Sequence, residues 1–216
     1  RGGGTTFNDL YLRPGSSTIS SGTIIFNNSV PNNTQNFTMD ANVPLYNLTI
    51  IGAGAGKNAT VGLVLNQLVL KGSLTFANSN SILNSNNLNV SIAGNLTNNG
   101  SVGSYLFGTN TTNFNGATQN IFGSSATNFY DLNAYSTNSL SSFNSFTVNR
   151  NLTISNGVLN LYPVVTDYKI TLLGHLVNNS SYLDNNTAGG GIILAGTSLQ
   201  QISGLGGFGR LELNNS

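Results

Sequence analysis

Cysteine and tryptophan are absent from this sequence of 216 residues, and only 6% of its residues are charged. The lack of cysteine excludes a disulfide framework and a thiolate metal site. The net charge of +1 gives no basic excess that would attract nucleic acid or anionic lipid. No stretch approaches the roughly 18 consecutive apolar residues of a membrane-spanning helix. We therefore expect no nucleic-acid partner and no insertion into a membrane.

The glycine-rich stretch IGAGAGKNAT at residues 51–60 matches a phosphate-binding loop only in part. In the pattern G-x-x-x-x-G-K-[ST], the first glycine would fall on Ile51 and the final hydroxyl on Asn58. No helical pattern follows Lys57, although a phosphate-binding loop needs the N-terminus of a helix. We therefore predict a turn between two strands, with no cofactor-binding residue.

The sequence repeats itself at an interval of roughly 80 residues. The segment TQNFTMDANVPLYNL (34–48) aligns without a gap with TQNIFGSSATNFYDL (118–132). The segment LQQISGLGGFGRL (199–211) is a third and shorter copy, and FNDL (7–10) matches the ends of all three. Such self-similarity is typical of architectures built by stacking one structural unit.

Short runs of alternating apolar and polar residues fill each repeat. LTISNGVLNL (152–161) has the pattern of two strands around an Asn-Gly turn, and no stretch has a 3.6-residue period. A closed sandwich or barrel and a solenoid both use short strands, but only the solenoid explains the long repeat. We predict an all-β chain folded as a parallel β-helix, or β-solenoid, with about four coils of about 20 residues in each super-repeat. Asparagine side chains would stack between successive coils and form hydrogen bonds along the stack.

The repeats suggest an organisation within one continuous solenoid. We divide the chain into the end of a preceding repeat (1–21), a partial repeat (22–60), a full super-repeat (61–138) and a second super-repeat (139–216). We expect the chain to be an excerpt of a longer rod and to extend over about 50 Å at the usual strand spacing. The predicted inward residues include Leu48, Ile50, Leu68, Leu70, Leu74, Phe76, Leu152, Ile154, Leu159 and Leu161.

Residues that could carry chemistry are few: six acids and a single histidine. The repeat position of Asp131 is occupied in the other copies by Asp9, Asn47 and Arg210. Such variety predicts a solvent-exposed turn, and His175, which stands where the other repeat has Asn95, is predicted to be a surface variant. Asp184, beside two asparagines, fits a turn better than a weak calcium site. We predict no enzyme, no catalytic residue, no cofactor and no metal.

The repeated phrase is carried by two sets of residues. They are Gly116, Gln119, Ile121, Gly123, Phe129 and Leu132, echoed by Gly196, Gln200 or Gln201, Ile202, Gly204, Phe208 and Leu211. With NLTISNGVLNL and GNLTNNGS, this phrase resembles the repeats of giant secreted surface adhesins of Bacteroidota-type gliding bacteria, which are cargo of the type 9 secretion system. The resemblance extends from about residue 22 onward. It implies an extracellular, cell-surface location and carries over no catalytic residue.

These observations leave three functional hypotheses. The leading one is a structural or adhesive segment of a long extracellular filament or adhesin, serving surface attachment and gliding motility. Its partners would be neighbouring repeats of the same chain or identical subunits, with surface polysaccharide as a further candidate. The second is a carbohydrate-binding β-helix module whose sugar-stacking rings would be Tyr105, Tyr130, Tyr135, Tyr162, Tyr168 and Tyr182. The third is a polysaccharide-cleaving enzyme, which would need acids from separate coils on one face.

Overall fold

A computed structural model describes residues 10–13, 19–54, 56–161, 168–184 and 190–214. Within these residues, the chain forms 24 short β-strands and a single 3₁₀ turn at Val102–Ser104. The strands are β1 (Leu10–Leu12), β2 (Thr23–Asn27), β3 (Gln35–Ala41), β4 (Asn47–Ile51), β5 (Ala59–Leu63), β6 (Leu68–Leu70), β7 (Leu74–Phe76), β8 (Ser81–Asn84), β9 (Val90–Ile92), β10 (Leu96–Asn98), β11 (Tyr105–Leu106), β12 (Thr111–Phe114), β13 (Thr118–Phe122), β14 (Asp131–Ala134), β15 (Ser139–Ser142), β16 (Phe146–Val148), β17 (Leu152–Ile154), β18 (Val158–Leu161), β19 (Lys169–Leu172), β20 (Leu176–Asn178), β21 (Ser181–Asp184), β22 (Gly191–Leu194), β23 (Ile202–Ser203) and β24 (Leu211–Leu213).

The strands stack into three faces of a β-solenoid, and each of the named strands pairs in parallel with strands of the neighbouring coils. Face 1 contains β2, β4, β7, β10, β13, β15, β18 and β21. Face 2 contains β1, β3, β5, β8 and β11, and continues after an interruption as β16, β19, β22 and β24. Face 3 contains β6, β9, β12, β14, β17, β20 and β23. This arrangement confirms the predicted all-β parallel β-helix.

The coils are fewer and larger than the sequence predicted. Successive partners in the columns of face 1 lie 19 to 26 residues apart along the chain. Face 1 contributes one strand to each of eight coils, and at the usual spacing these eight strands extend over about 34 Å. Face 2, with nine strands and the bridge residue Phe129, has ten levels and extends over about 43 Å, which is close to the expected length of about 50 Å.

The core is a continuous apolar column enclosed by the three faces. All ten residues predicted to point inward are 3% exposed or less. In a strand, alternate side chains point to the same side, so parallel stacking in register places Leu48, Leu74 and Leu96 directly above one another. Burial of each such side chain contributes about 1.5–3 kcal/mol relative to exposure. The rings of Tyr105, Phe114 and Phe146 surround Phe129, with ring centroids 5.4 to 6.2 Å away.

The three copies of the repeat motif occupy successive faces. The first copy places β3 on face 2, an isolated bridge residue, Leu45, on face 3, and β4 on face 1. The second places β13 on face 1, the bridge residue Phe129 on face 2 and β14 on face 3. The third places β23 on face 3, the bridge residue Gly207 on face 1 and β24 on face 2.

One super-repeat therefore contains three and two-thirds coils instead of the predicted four. From β3 to β13, and again from β13 to β23, the chain passes through ten strands and one bridge residue. Eleven positions are one fewer than four full coils of three faces, so each copy of the motif begins one face short of the face on which the copy before it began.

Asparagine side chains fix several of the corners. The Oδ1 of Asn98 accepts the N–H of Gly100 at 3.0 Å, and its Nδ2 donates to the carbonyl of Ala126 in the next coil at 2.7 Å. Asn28 and Asn178 make the same pair of contacts with their own corners and neighbouring coils. Asparagine side chains therefore do form hydrogen bonds between coils, but the acceptors at these three corners are backbone carbonyls and not the stacked asparagine side chains that were predicted.

Candidate functional site

The glutamine of the repeat motif lies inside the wall of the solenoid. Gln119 is fully buried. Its Oε1 accepts the N–H of Gly116 at 2.7 Å and the hydroxyl of Ser136 at 2.8 Å. Its Nε2 donates to the carbonyls of Ile92 at 2.8 Å and Gly94 at 2.6 Å. These contacts join three successive coils at the corner between faces 3 and 1.

The same contacts recur 81 residues later at Gln200. Its Oε1 accepts the N–H of Gly196 at 2.8 Å, and its Nε2 donates to the carbonyls of Leu172 at 3.0 Å and Gly174 at 2.6 Å. The structure thus identifies Gln200, and not the exposed Gln201, as the counterpart of the buried glutamine. The recurring glutamine is a structural clamp between coils.

The final glycine of the motif is required by its backbone conformation and by close packing. Gly123 has a φ of +127° and Gly204 a φ of +102°, a region that residues with a side chain rarely adopt. A Cβ at either position would overlap a backbone carbonyl, that of Asn98 below Gly123 and that of Asn178 below Gly204. The motif therefore repeats because the fold repeats these two requirements.

An acceptor ladder runs along the entry to face 3, where the side chains of Asp131, Asn151 and His175 each accept a backbone N–H from the next coil, the last of them from Gln201. The Oδ1 of Asp131 accepts the backbone N–H of Asn151 at 2.9 Å, and the Oδ1 of Asn151 accepts that of His175 at 3.1 Å. The Nδ1 of His175 accepts the N–H of Gln201 at 3.1 Å. His175 is exposed and replaces an asparagine in this role, so its interpretation as a surface variant is confirmed.

The prediction that Asp131 lies in a solvent-exposed turn is wrong. Its carboxylate is buried and forms an ion pair with Arg150 from the next coil. The guanidinium carbon of Arg150 lies 4.9 Å from the ring centroid of Tyr130. The hydrogen bond to Asp131 raises the pKa of Arg150. The repeat comparison could not reveal this pair, because Asp131 is covered by a residue of another coil.

A second buried carboxylate lies beside a surface cleft. Burial disfavours the charged form of Asp40, but hydrogen bonds from Asn66 (2.6 Å) and Arg13, together with the charge of Arg13, outweigh it and lower the pKa of Asp40. The adjoining cleft has a volume of about 130 Å³. It is lined by Ala41, Asn42, Val43, Pro44, Asn66, Gln67 and Val69.

Two acids in the described part of the chain, Asp40 and Asp131, are paired with arginines and not with each other. The two carboxylates lie in different coils. Among the described residues, no three His, Asp or Glu side chains lie together as a metal site. Asp9, Asp167 and the two asparagines after Asp184, which were predicted to form a turn, lie outside the described residues.

Two of the tyrosines proposed to stack on sugars are buried, which corrects that prediction for Tyr105 and Tyr182. Tyr105 pairs with Leu83 in the inner column of face 2, and Tyr182 pairs with Leu159 in the inner column of face 1. Strand alternation places both rings toward the core, where no sugar can reach them.

The hydroxyl of Tyr105 is satisfied inside the core. It lies 2.8 Å from the Oγ1 of Thr112 and accepts a hydrogen bond from the Nδ2 of Asn110 at 2.7 Å. Burial raises the pKa of Tyr105 to about 12, against smaller opposing effects of these two hydrogen bonds. The ring therefore has a structural role in the aromatic cluster around Phe129.

The remaining candidate rings differ in accessibility. Tyr135 is 51% exposed, whereas Tyr130 and Tyr168 are partly buried, and Arg150 covers one side of the Tyr130 ring. Tyr162 lies outside the described residues. Tyr130 and Tyr135 flank β14 and stand roughly 16 Å apart along the strand, too far to stack on one sugar ring. Among the candidate rings that the structure describes, Tyr135 is thus the most accessible.

The glycine-rich stretch after β4 is a turn, as predicted. Ala53 and Lys57 form an isolated antiparallel bridge that closes it, and Gly56 has a φ of +74°. The next element is strand β5, so the described residues present no helix N-terminus to a phosphate.

Within the parts of the chain that the structure describes, no helix has the length and apolar character needed to cross a membrane. No protein-family model, curated protein or solved structure matches this chain. The repeat motif and the exposed surface are therefore the basis for a functional proposal.

Proposed function

We propose that this chain is a structural or adhesive repeat segment of a long extracellular filament or adhesin at the cell surface. The observation that carries the proposal is the recurrence of the same hydrogen bonds between coils at Gln119 and Gln200. The positions that recur in the repeat are those that form hydrogen bonds between coils. The recurring Gly, Gln, Ile, Phe and Leu residues include no reactive side chain. A sequence that repeats the contacts between coils is suited to extending a solenoid into a long rod.

The mechanical basis of this function is the parallel stacking of coils. Each coil forms backbone hydrogen bonds to its neighbours on all three faces, so stability accumulates through contacts between adjacent units. Amide and hydroxyl side chains give the surface hydration with little charge, and the rod should be nearly insensitive to salt. Neighbouring repeats of the same chain, or identical subunits, are the proposed partners.

The rotation of the motif around the rod suits a load-bearing role. At the bridge residues Leu45 and Phe129, a single residue replaces a strand and interrupts one sheet. Because each copy lies on a different face, the interruptions do not accumulate on one side. A rod built in this way has no weak seam along its length.

Immunogold electron microscopy of the source cells tests the proposal. An antibody raised against this chain should label thin extracellular fibres attached to the cell surface. Labelling confined to the cell interior, or to compact particles, would contradict a role in a surface filament. Cells lacking the gene serve as the control for antibody specificity and should lose both the label and surface attachment. Loss of gliding in the same cells would support the motility role implied by the resemblance.

Carbohydrate binding is a second candidate, favoured by the exposed ring of Tyr135 and its polar surroundings. Affinity electrophoresis in gels containing surface polysaccharide from the source cells would measure it. Retardation that is lost in Tyr135→Ala and kept in Tyr11→Ala would support this function, because Tyr11 is also exposed but is not among the candidate rings. Equal migration with and without polysaccharide would exclude it for that polymer.

A further inference from the structure

Three Asn-Gly pairs lie between strands of the solenoid: Asn99-Gly100, Asn115-Gly116 and Asn156-Gly157. In such a pair the backbone nitrogen of the glycine can attack the side-chain amide of the asparagine, because glycine has no Cβ to obstruct the approach. All three asparagines are exposed to solvent. The reactivity of each pair therefore depends on whether the fold holds the N–H of its glycine in a hydrogen bond.

Two of the three glycine N–H groups are held by buried side chains. The N–H of Gly100 donates to the Oδ1 of Asn98 at 3.0 Å, and the N–H of Gly116 donates to the Oε1 of Gln119 at 2.7 Å. Asn98 and Gln119 are buried, and each also donates to a backbone carbonyl of a neighbouring coil. Attack by either glycine would first have to break a hydrogen bond that is part of the contacts between coils.

The third pair lacks this restraint. The N–H of Gly157 donates no hydrogen bond to any of the described residues, and none of them forms a hydrogen bond with the side chain of Asn156. Gly157 contacts the next coil through its carbonyl, which accepts the hydroxyl of Ser180 at 2.5 Å and the N–H of Ser181 at 3.4 Å. Its nitrogen is therefore available as a nucleophile while the coil is intact.

The reaction at this pair needs only water as a co-reactant. The nitrogen of Gly157 gives up its proton to solvent and bonds to the Cγ of Asn156, and the bond from Cγ to Nδ2 breaks as ammonia leaves. Water then opens the resulting succinimide ring at one of its two carbonyls. The products are aspartate and isoaspartate, and in isoaspartate the main chain runs through Cγ and is longer by one carbon atom.

We propose that Asn156 is a modification site, converted through a succinimide to aspartate and isoaspartate by the backbone nitrogen of Gly157. Asn99 and Asn115 have the same local sequence, but the fold protects them through the hydrogen bonds of their glycines. This inference goes beyond the proposed function and does not depend on it.

The modified corner is closely packed, so conversion should loosen it. A Cβ on Gly157 would already overlap the carbonyl of Ser136 in the preceding coil. The next residue, Val158, donates its N–H to the carbonyl of Asn138 at 2.9 Å. A longer main chain before this bond should lower the protection of the Val158 amide from hydrogen exchange about tenfold in the isoaspartate form. Unchanged protection would contradict the loosening of the corner.

Peptide mapping by mass spectrometry of the full chain, incubated for days in mildly alkaline buffer, tests the site. Trypsin cleaves after Arg150 and Lys169 and so isolates Asn156, and chymotrypsin separates Asn99 from Asn115. Asn156 should convert about fivefold to tenfold faster than the other two, because their glycines must first break a hydrogen bond. In the chain unfolded by urea, all three should convert at similar rates. Equal rates in the folded chain, or the same preference for Asn156 in urea, would overturn the proposal.

The protection of Asn115 can be removed separately. Gln119→Leu takes away the acceptor of the Gly116 N–H, so conversion of Asn115 should rise about fivefold or more. Gln200→Leu is the matched control, because it removes the equivalent clamp at Gly196, which follows an alanine and not an asparagine. A rise at Asn115 in both variants would mean a general loosening of the rod. No rise in either would mean that the hydrogen bond gives no protection, and each of these two results would overturn the proposal.

Discussion

A single buried amide, that of Gln119, forms hydrogen bonds with backbone groups in two coils and with the hydroxyl of Ser136 in a third. Gln119→Leu keeps the approximate volume but leaves the carbonyls of Ile92 and Gly94 without this donor. Each buried polar group left unsatisfied costs about 1–3 kcal/mol. We expect the free energy of unfolding, measured by urea titration with circular dichroism, to fall by about 3 kcal/mol. Gln201→Leu is the matched control and should change it by less than about 0.5 kcal/mol; equal losses in the two variants would refute the clamp.

Tyr105 makes the fold sensitive to alkaline conditions. Its pKa in the folded state is about 12, above the value near 10 of an exposed tyrosine. The contribution of protonated Tyr105 to the free energy of unfolding is therefore complete below about pH 10 and is lost as the pH rises from about 10 to about 12. Urea titrations across this range should show a steeper loss of stability in the native chain than in Tyr105→Phe. Parallel pH profiles for the two proteins would mean that Tyr105 ionises without cost.

Whether a side chain is buried or exposed was predictable where the alternation of apolar and polar residues along a strand alone decides it. Leu48 and Leu152 lie in alternating runs, so their inward direction follows from the strand period. The same period applies to Tyr105 and Tyr182, but tyrosine is chemically suited to both the core and the surface, so both rings were among the candidates for stacking on sugars. Asp131 was missed for another reason, because the arginine that buries it belongs to a different coil.

The acceptor ladder joins consecutive coils just before the strands β17, β20 and β23 of face 3. Asn151→Leu removes the acceptor for the backbone N–H of His175, which should cost about 0.5–1.5 kcal/mol of unfolding free energy. His175→Asn retains an acceptor at the same position and should cost almost nothing, whereas His175→Leu should resemble Asn151→Leu. Thermal unfolding of the three variants decides this. If His175→Asn and His175→Leu unfold at the same temperature, the ladder contributes nothing.

Element types were predictable from the sequence, but their assignment to faces was not. Alternation and Asn-Gly turns indicate short strands throughout, and the structure contains them. The bridge residues Leu45 and Phe129, however, each occupy the place of a whole strand. A period of two needs several residues to be recognised, so one residue carries no such signal. That missing signal is why the sequence suggested four coils per super-repeat.

The whole molecule behaves as a stack in which each coil contacts only its neighbours, so one complete coil should be removable. Deleting residues 139–157 takes one strand from each face. Val158 then occupies the position of Ser139, with which it is in register, and Ile170 occupies that of Phe146 over Phe129. We expect a folded protein whose m-value in urea is about one-eighth smaller, since one of eight coils is lost. Its stability should fall as well, because the deletion removes one set of coil contacts and the ion pair of Asp131.

Deleting residues 139–151 is the control that separates coil register from chain length. It removes fewer residues but takes strands from faces 1 and 2 only, so that β17 of face 3 would follow β14 of the same face. Every later strand would then meet the wrong face, and the apolar residues could not all point inward. We expect this shorter deletion to unfold or aggregate in size-exclusion chromatography, while the longer one elutes as a folded monomer. If the longer deletion fails as well, the coil is not an independent unit, and additive stacking is an incorrect account of the rod.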